Sequence, residues 1–367
     1  RLLNQNAFVV TTGQQIHLGL GPMYVVYKII SSIVLCNQLE MQFPDKHFVP
    51  MFWMATEDHD FSEINHVDIF KERYTWNKDS EGGVGELVTD DLHDMFEWLA
   101  QKFQRNSDAL LRIDQLRKIY LSPNQTLAKA TAQWVSDLFG AFGLLVIDPN
   151  ETDLKQVAKG LFEQDLFEDS LFEAFNDQAG IMREKGIEPP ALARECNVFW
   201  MGEKRQRIVK TLGGFETVDG ELKWSAVDMK AVLNSDAIAH LSANVLLRPL
   251  YQQAILPCLA YAAGPTEYIY WLQKSNVNNF NYICLKHTIM DFQTTQNKLS
   301  AVIKFNAEKL TAVNATELKN ELLELNKKGV NNIILDLTST KYCDSSGLSS
   351  ILTGNRLCKD TNGKFIL

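Results

Sequence analysis

The sequence of 367 residues is long enough for two or three domains, and its 46% hydrophobic and 22% charged residues are ordinary for a soluble globular protein. The net charge of −9 argues against non-specific nucleic-acid binding, and no apolar run reaches the ~18 residues of a membrane span. The six cysteines contain no CxxC pair, which argues against zinc and disulfide frameworks and favours a cytoplasmic location.

The first part of the sequence alternates short apolar strands with helical patterns. We predict strands over 8–12, 48–54 and 144–147, and helices over 24–40, 92–104, 124–142, 151–175 and 248–263. Near-continuous apolar strands suit a parallel sheet that is covered on both faces. Residues 198–224 are typical of hairpins, with turns at Gly213-Gly214 and Asp219-Gly220. The pattern predicts a doubly wound α/β core with an inserted small subdomain.

The second part of the sequence starts a new pattern after an irregular, asparagine-rich segment at 275–289. We predict strands over 292–299, 301–306 and 332–337, helices over 315–328 and 346–360, and a strand that begins at Lys364. Residues 290–367 carry 10 basic and 8 acidic side chains, whereas residues 1–289 carry 26 and 37. This asymmetry indicates two units of separate origin, a core over 1–274 and a second α/β domain over 290–367. We expect natural sequence upstream of Arg1, and we expect the second domain to be truncated inside its fourth strand.

A cluster of ionisable residues follows the strand at 48–54, with four carboxylates and two imidazoles in ten residues. Crowded carboxylates beside an imidazole are suited to acid–base work near neutral pH, so Asp58, His59 and Asp60 are the candidate catalytic residues. An alternative is a solvated acidic loop in which Asp60 caps the next helix and Glu63 occupies its third position. A metal site is a third alternative, but the spacing is not His-Glu-x-x-His, and we predict no metal.

A glycine-rich turn, Gly13-Gln14-Gln15, precedes the first helix. Such turns let backbone N–H groups approach an anion, although this one matches neither GxGxxG nor the Walker A pattern. Lys28 can supply a positive charge to a carboxylate or phosphate, or it is an ordinary surface lysine. His17 can touch a ligand, or it is a structural histidine.

A third polar cluster surrounds the helix predicted at 248–263. Asn244 and Arg248-Pro249 precede this helix, and Gly264-Pro265-Thr266-Glu267 follows it. Arg248 suits bidentate recognition of a carboxylate or phosphate. The alternative is an ion pair between Arg248 and a neighbouring acidic side chain.

Five motifs in a fixed order carry a family resemblance. They are Thr12-Gly13-Gln14-Gln15, Gly21-Pro22-x-Tyr24-x-x-Tyr27-Lys28, Phe52-Trp53-x-Ala55-x-Glu57-Asp58-His59-Asp60-x-x-Glu63-Ile64-Asn65-His66, Asn244-x-x-x-Arg248-Pro249 and Gly264-Pro265-x-Glu267-x-x-Tyr270-Trp271. Over about 1–274 the sequence resembles the BshC family, the cysteine-adding enzymes of bacillithiol biosynthesis. The resemblance implies a Rossmann-like core that adds L-cysteine to glucosaminyl-malate by ATP-assisted ligase chemistry. It also implies a homodimer held by a C-terminal coiled coil, which we expect this chain to lack because the match stops after Gln273.

The roles of the site residues are inferred from residue type. The Gly13–Gln15 turn and Lys28 are expected to hold an anionic ligand, and Arg248 to clamp a carboxylate of malate or cysteine. His59, with Asp58 or Asp60, is expected to handle protons. The substrate-binding candidates are Gly13, Gln14, Gln15, Tyr24, Lys28, Glu57, Asn244, Arg248 and Glu267.

A separate motif lies in the second domain. Residues Ile333-Ile334-Leu335-Asp336-Leu337 and Tyr342-Cys343-Asp344-Ser345-Ser346-Gly347-Leu348 resemble a STAS domain of the anti-sigma-factor antagonist type. The resemblance implies that Ser346 is the phosphoacceptor and that an anti-sigma-factor kinase is the partner. A phosphate at a helix N-terminus would meet free N–H groups and the positive end of the dipole. The alternative is that Ser345 or Ser346 merely caps this helix.

Three hypotheses follow for the chain as a whole. It is a cysteine ligase, a STAS phospho-switch module, or a non-functional joined fragment of two neighbouring genes. The asparagine-rich junction and the methionine at Met290 favour the third hypothesis over a natural fusion.

Overall fold

The computed structural model describes residues 2–273, 283–284, 292–296 and 300–367. The contacts divide the chain into a first unit, Arg1–Leu285, and a second unit, Lys286–Leu367. In the described part of the chain no helix is long and apolar enough to cross a membrane.

The first unit contains twelve strands and eleven α-helices among its described residues. The strands are β1 (Ala7–Gln14), β2 (His47–Met54), β3 (His66–Ile69), β4 (Glu72–Thr75), β5 (Leu145–Ile147), β6 (Val198–Met201), β7 (Arg205–Thr211), β8 (Gly214–Thr217), β9 (Lys223–Trp224), β10 (Leu241–Ala243), β11 (Cys258–Tyr261) and β12 (Ile283–Cys284). The helices are α1 (Met23–Gln42), α2 (Phe61–Ile64), α3 (His93–Lys102), α4 (Ser107–Tyr120), α5 (Leu127–Phe139), α6 (Thr152–Val157), α7 (Lys159–Phe167), α8 (Ser170–Glu184), α9 (Ala226–Leu233), α10 (Arg248–Ile255) and α11 (Pro265–Leu272).

A parallel sheet of five strands, in the order β12-β11-β1-β2-β5, forms the centre of the first unit. The apolar runs of β1 and β2 are almost entirely buried, as a sheet covered on both faces requires. The chain leaves β1 through α1 towards β2 and later returns to β11 on the opposite side of β1. The carboxyl end of β1 is therefore a topological switch point, where open α/β sheets bind their ligands. The predicted α/β fold is confirmed.

The predicted hairpin insert is an antiparallel sheet in the order β10-β6-β7-β8-β9. The turn at Asp219-Gly220 falls between β8 and β9 as expected, whereas the first turn lies one residue earlier than predicted, at Leu212-Gly213, and Gly214 begins β8. The inner face of the insert packs with α7, α8 and α10 around a core that also contains Trp53 from β2. The Trp53 ring contacts the Tyr251 ring edge-on, with 5.5 Å between the ring centroids. This shared core fixes the insert against the parallel sheet.

Two helix predictions were wrong in extent. The pattern over 248–263 is one short helix, α10, followed by β11, because Leu256 precedes a proline and is extended there. The apolar run after Pro257 fits a buried strand as well as a helix, and pairing with β1 decides between them. The pattern over 151–175 is split among α6, α7 and α8, with breaks at Ala158 and 168–169. In the segment 275–289 only 283–284 are described, and they pair with β11.

The second unit contains β13 (Phe292–Gln296), β14 (Ser300–Phe305), β15 (Lys309–Leu310), β16 (Asn332–Asp336), β17 (Tyr342–Cys343) and β18 (Phe365–Ile366), with helices α12 (Ala312–Lys327) and α13 (Ser345–Asp360). Four of these strands form a sheet in the order β13-β14-β16-β18. The inward residues of β14 and β16, such as Ile303 and Leu335, are buried with Leu318 and Leu322 of α12. The predicted order of strands and helices is confirmed, although α12 begins three residues earlier than expected.

Candidate active site

The candidate site lies at the carboxyl edge of the parallel sheet. β1 ends at Gln14, β2 is followed by Glu57 and Asp58, and β11 is followed by α11, which carries Glu267. The backbone N–H of Ala55 donates to the carbonyl of Gln14 at 3.0 Å, so the loops after β1 and β2 are joined directly. Sheet topology therefore brings together three motifs that are far apart in the sequence.

Lys28 is buried at this edge, so the alternative of a surface lysine is wrong. Its ammonium group donates to a Glu267 carboxylate oxygen at 2.5 Å, to the Gly13 carbonyl at 2.7 Å and to Gln14 Oε1 at 3.3 Å. Burial lowers the pKa of Lys28, and the nearby Glu267 carboxylate opposes that shift. The charge of Lys28 is thus already balanced by the protein.

Glu267 is held from three sides. Besides Lys28, its carboxylate accepts from the Gly264 N–H at 2.7 Å and from the Tyr261 hydroxyl at 2.9 Å. The Tyr261 hydroxyl in turn accepts from Arg248 Nη2 at 3.0 Å. Burial raises the pKa of Tyr261, so its hydroxyl keeps the proton that it donates to Glu267. These contacts link Arg248, Tyr261, Glu267 and Lys28 in one chain.

Arg248 is half-buried between two aromatic rings. Its guanidinium carbon lies 5.1 Å from the ring centroid of Trp53 and 5.3 Å from that of Tyr261. Within the described ranges, no carboxylate forms an ion pair with Arg248, and the phenolic oxygen of Tyr261 is its side-chain partner. The alternative of an ion pair is therefore wrong for these residues. A rigid guanidinium with donors left over can recognise a planar carboxylate.

Gly13 has no side chain and so leaves room for the Arg248 guanidinium. A Cβ atom built on Gly13 would lie 2.5 Å from Arg248 Nη2 and 2.8 Å from the Tyr261 hydroxyl. The backbone of β1 can approach the Arg248 guanidinium closely only because this residue has no side chain.

Two other residues near the glycine-rich turn, Tyr24 and His17, differ in exposure. The Tyr24 ring is exposed beside the site, and its centroid lies 5.9 Å from Lys28 Nζ. His17 is buried, and both burial and the nearby His66 lower its pKa to about 4. His17 is therefore neutral at physiological pH and behaves as the structural histidine of the alternative prediction.

Gln15 connects the glycine-rich turn to the acidic cluster. Its amide nitrogen donates to Asp58 Oδ2 at 2.9 Å and to Glu63 Oε2 at 2.5 Å. The other oxygen of Asp58 accepts from the backbone N–H of His59 at 2.8 Å. This arrangement fixes the Asp58 carboxylate, which is partly exposed at the rim of the site.

His59 and Asp60 are both exposed, but only His59 joins the cluster. His59 Nδ1 lies 3.6 Å from Asp58 Oδ1 and 3.4 Å from Arg205 Nη1. Asp60 accepts from the hydroxyl of Ser62 and makes no side-chain bond to the N-terminus of α2. Asp60 therefore occupies the N-cap position and Glu63 the third position of α2, as the alternative predicts, but the Asp60 side chain does not make the capping bond. In the described part of the chain no group of three His, Cys, Asp or Glu residues is arranged to hold a metal ion.

Glu57 forms a second buried ion pair with Lys155 of α6. Lys155 Nζ lies 2.7 Å from Glu57 Oε1, and it also donates to Asn150 Oδ1 at 2.8 Å and to the Ala239 carbonyl at 2.7 Å. The Lys155 side chain is fully buried. Asn150 and Ala239 also line a neighbouring open cleft of about 640 Å³, which includes Glu86 and His240. Glu57 thus connects the sheet edge to the wall of this cleft.

Asn244 holds the start of α10, the helix that carries Arg248. Its Oδ1 accepts from the backbone N–H groups of Leu246 and Leu247, each at 2.9 Å. Its Nδ2 donates to Asn197 Oδ1 at 2.9 Å. Asn197 in turn bonds to the buried Asp165, whose pKa burial raises to about 6. Through these contacts, Asn244 fixes the start of α10 and thereby the position of Arg248.

The candidate phosphorylation site is in the second unit. Asp344 is the N-cap of α13, and its carboxylate accepts from the Gly347 N–H at 2.9 Å. Ser345 and Ser346 are the first two helical residues, and Ser346 is partly exposed. The alternative in which one of these serines caps the helix is therefore wrong.

Residues 1–292 match the family described as Bacillithiol biosynthesis BshC, N-terminal Rossmann-like domain. The chain belongs to the BshC family. Curated BshC relatives carry the name "Putative cysteine ligase BshC". That of Cytophaga hutchinsonii is 34% identical over 285 residues, which are 76% of this chain and 51% of the relative. That of Bacillus velezensis is 32% identical over 289 residues, or 74% of this chain and 52% of the relative.

A BshC relative from Christiangramia forsetii aligns further, with 30% identity over 351 residues that cover 93% of this chain and 64% of the relative. The chain spans about half the length of the Cytophaga and Bacillus relatives. Residues 291–367 match the STAS domain family. The solved structure of the anti-sigma factor antagonist SpoIIAA in its unphosphorylated form is 20% identical, covers 20% of this chain and 68% of its own, and has a TM-score of 0.19.

Three residues of this BshC site were missed by sequence reasoning, Lys155, Arg205 and Tyr261. Lys155 lies in the short helix α6, Arg205 begins strand β7 of the insert, and Tyr261 ends β11, which the pattern predicted as part of a helix. None of them lies in a motif, and all reach the site through tertiary packing. The sequence signals them only by residue type, two cations and one phenol outside the acidic cluster.

Proposed function

We propose that the carboxyl edge of the parallel sheet joins L-cysteine to glucosaminyl-malate. Membership of the BshC family supports the class of reaction. The observation that carries the proposal is Arg248, a half-buried guanidinium at the switch point with no ion-pair partner among the described residues. Lys28 and Lys155 already pair with carboxylates, so Arg248 is the cation that remains for a substrate carboxylate.

Amide formation places two demands on the site. The cysteine carboxyl carbon must be held for attack while one carboxyl oxygen leaves, and the sugar amine must lose a proton as the carbon–nitrogen bond forms. Arg248 holds a carboxylate, and the Asp58–His59 pair at the rim exchanges protons with the reacting groups. Gln15 and Glu63 keep Asp58 in place for that exchange.

ATP is the proposed source of carboxylate activation. The described residues do not form a triphosphate cradle at this edge, because Lys28 is committed to Glu267 and Gly13 is packed against Arg248. The carboxyl oxygen leaves with the phosphoryl group that ATP donates, and the steps assigned to this edge are the binding of the carboxylate and the transfer of the amine proton.

The proposal is tested by titrating the full chain calorimetrically with glucosaminyl-malate and with L-cysteine, followed by mass spectrometry of the product formed with ATP. Arg248→Met should weaken carboxylate binding by more than about tenfold, because it removes a charge-assisted bond. Arg112→Met, at an exposed position of α4, is the matched control and should bind as the wild type does. Equal affinities in all three proteins would refute the role of Arg248.

We further propose that the second unit is a phosphorylatable STAS module whose partner is an anti-sigma-factor kinase. The STAS match and the position of Ser346 in the first turn of α13 support this second function. Because Asp344 already caps the helix, the Ser346 hydroxyl is not needed for capping. Incorporation of phosphate at Ser346 by such a kinase tests the proposal.

A further inference from the structure

Arg205, at the start of β7, connects the insert to the acidic cluster. Its side chain is 10% exposed, and its guanidinium carbon lies 4.3 Å from the centroid of the Phe199 ring. Nε and Nη2 donate to the hydroxyl of Ser242 at 3.3 and 3.2 Å, and Nη2 also donates to the carbonyl of Ala243 at 3.1 Å. These contacts fix the guanidinium plane from the side of the insert.

The remaining nitrogen, Nη1, faces the acidic cluster. It lies 3.4 Å from His59 Nδ1 and 3.9 Å from Asp58 Oδ1. The same Nδ1 is 3.6 Å from Asp58 Oδ1, beyond hydrogen-bond distance, and both oxygens of Asp58 already accept other bonds. Arg205 is therefore the hydrogen-bond partner of the imidazole within the described residues.

A guanidinium can only donate, so Nδ1 of His59 must accept. A neutral imidazole that accepts at Nδ1 carries its proton on Nε2. We propose that Arg205 is a positioning residue that holds neutral His59 in the Nε2–H tautomer. An Asp–His pair without this arginine would favour the opposite tautomer, in which Nδ1–H donates to the carboxylate.

The tautomer assigns a hydrogen-bond donor and a proton acceptor to the reaction. His59 then directs Nε2–H at the carboxyl oxygen that leaves and stabilises it by a hydrogen bond while keeping its proton. Asp58 receives the proton from the attacking amine, and the oxygen leaves with the phosphoryl group that ATP supplies. These roles rest on the proposed ligase function, whereas the tautomer itself does not.

The test is a long-range proton–nitrogen NMR spectrum of the full chain, labelled with ¹⁵N at its seven histidines. His59→Gln assigns the His59 signals, and spectra are recorded at alkaline pH, where imidazoles are neutral. In the wild type, Nδ1 should have the shift of an unprotonated nitrogen and Nε2 that of a protonated one. In Arg205→Met, Nδ1 of His59 should take the shift of a protonated nitrogen and Nε2 that of an unprotonated one. Arg207→Met, on the same strand, should leave both shifts unchanged.

A wild-type His59 that is protonated at Nδ1 would overturn the inference, and so would an unchanged tautomer in a folded Arg205→Met variant. The wild-type spectrum tests the tautomer of His59 even if the Arg205→Met variant does not fold. Arg205→Lys keeps a hydrogen-bond donor and provides a second comparison. Product formation tests the proposed function separately. Arg205→Met should lower kcat by about 100-fold with little change in KM. The two results can differ. If the NMR spectrum shows the predicted tautomer but turnover is unchanged in the His59 and Arg205 variants, the inference about the tautomer is supported and the catalytic role of His59 is refuted.

Discussion

Lys28 and Glu267 lie 239 residues apart in the sequence, yet their side chains form an ion pair of 2.5 Å at the centre of the candidate site. The pair joins α1 to α11, and so it closes the carboxyl edge of the sheet between the strands β2 and β11 that flank β1. Glu267 also carries the hydrogen bond from Tyr261, which itself accepts from Arg248. Arg248, the residue proposed to recognise the substrate carboxylate, is thus connected to a contact between the second and the last motifs.

Replacing Lys28 by Met should lower the free energy of unfolding by about 2 kcal/mol, because the Glu267 carboxylate would lose its cation in a largely buried setting. Chemical denaturation of the full chain measures this change. Lys118→Met removes an exposed ion pair with Asp114 and should leave stability almost unchanged. Similar losses in both variants would contradict the assigned importance of the buried pair.

Gly13→Ala should weaken carboxylate binding about tenfold while the chain stays folded, because the new Cβ would displace the Arg248 guanidinium. Calorimetric titration with glucosaminyl-malate gives the affinity. Gly180→Ala in α8 meets no atom within 4 Å and should retain affinity while stabilising the helix by up to about 1 kcal/mol. Unaltered binding by Gly13→Ala would show that this close approach is not required.

Asn244→Ala should destabilise the chain by about 1 kcal/mol and also weaken carboxylate binding, since Asn244 holds the turn that begins α10 and carries Arg248. The N-cap of α4, Asn106, makes a comparable bond to the Ala109 N–H at 3.0 Å, away from these motifs. Asn106→Ala should cost similar stability without loss of affinity. If the two variants bind equally well, Asn244 has no positioning role.

His17 makes stability depend on pH in a defined window. Its pKa is 6.5 in the unfolded chain and about 4 in the folded one, so between these values the unfolded state binds a proton that the folded state does not. The free energy of unfolding should therefore fall as pH decreases from 6.5 to 4, by up to about 3 kcal/mol. Below pH 4 both states are protonated and this contribution stops changing.

Denaturation curves at a series of pH values test this dependence in His17→Gln, which should be less sensitive to pH between 6.5 and 4. His93→Gln alters an exposed histidine and should behave as the wild type does. An identical pH dependence in His17→Gln and the wild type would contradict a neutral, buried His17.

Ser346→Ala should abolish phosphate incorporation by an anti-sigma-factor kinase without destabilising α13, because the capping bond belongs to Asp344. Radiolabelled ATP with mass-spectrometric mapping identifies the labelled residue. Ser345→Ala should still be phosphorylated. Label that persists in Ser346→Ala would assign the phosphate to another hydroxyl.

The parallel strands β1 and β2 and the hairpin insert could be predicted from the sequence because their patterns are local. Uninterrupted apolar runs ended by polar loops specify buried parallel strands, and Gly-Gly and Asp-Gly specify turns. By contrast, β11 could not be separated from a helix, because a short apolar run fits both and only its pairing with β1 decides.

The sequence by itself determined the family, the order of the elements and the residue types available for chemistry. Only the tertiary structure decided which of those residues act together. It paired Lys28 with Glu267 and Glu57 with Lys155, brought Arg205 to His59, and left Arg248 without an ion-pair partner among the described residues. The physical reason is that motifs and helix patterns depend on neighbours along the chain. Charge pairing depends on distances of a few ångströms between segments that only the folded sheet brings together.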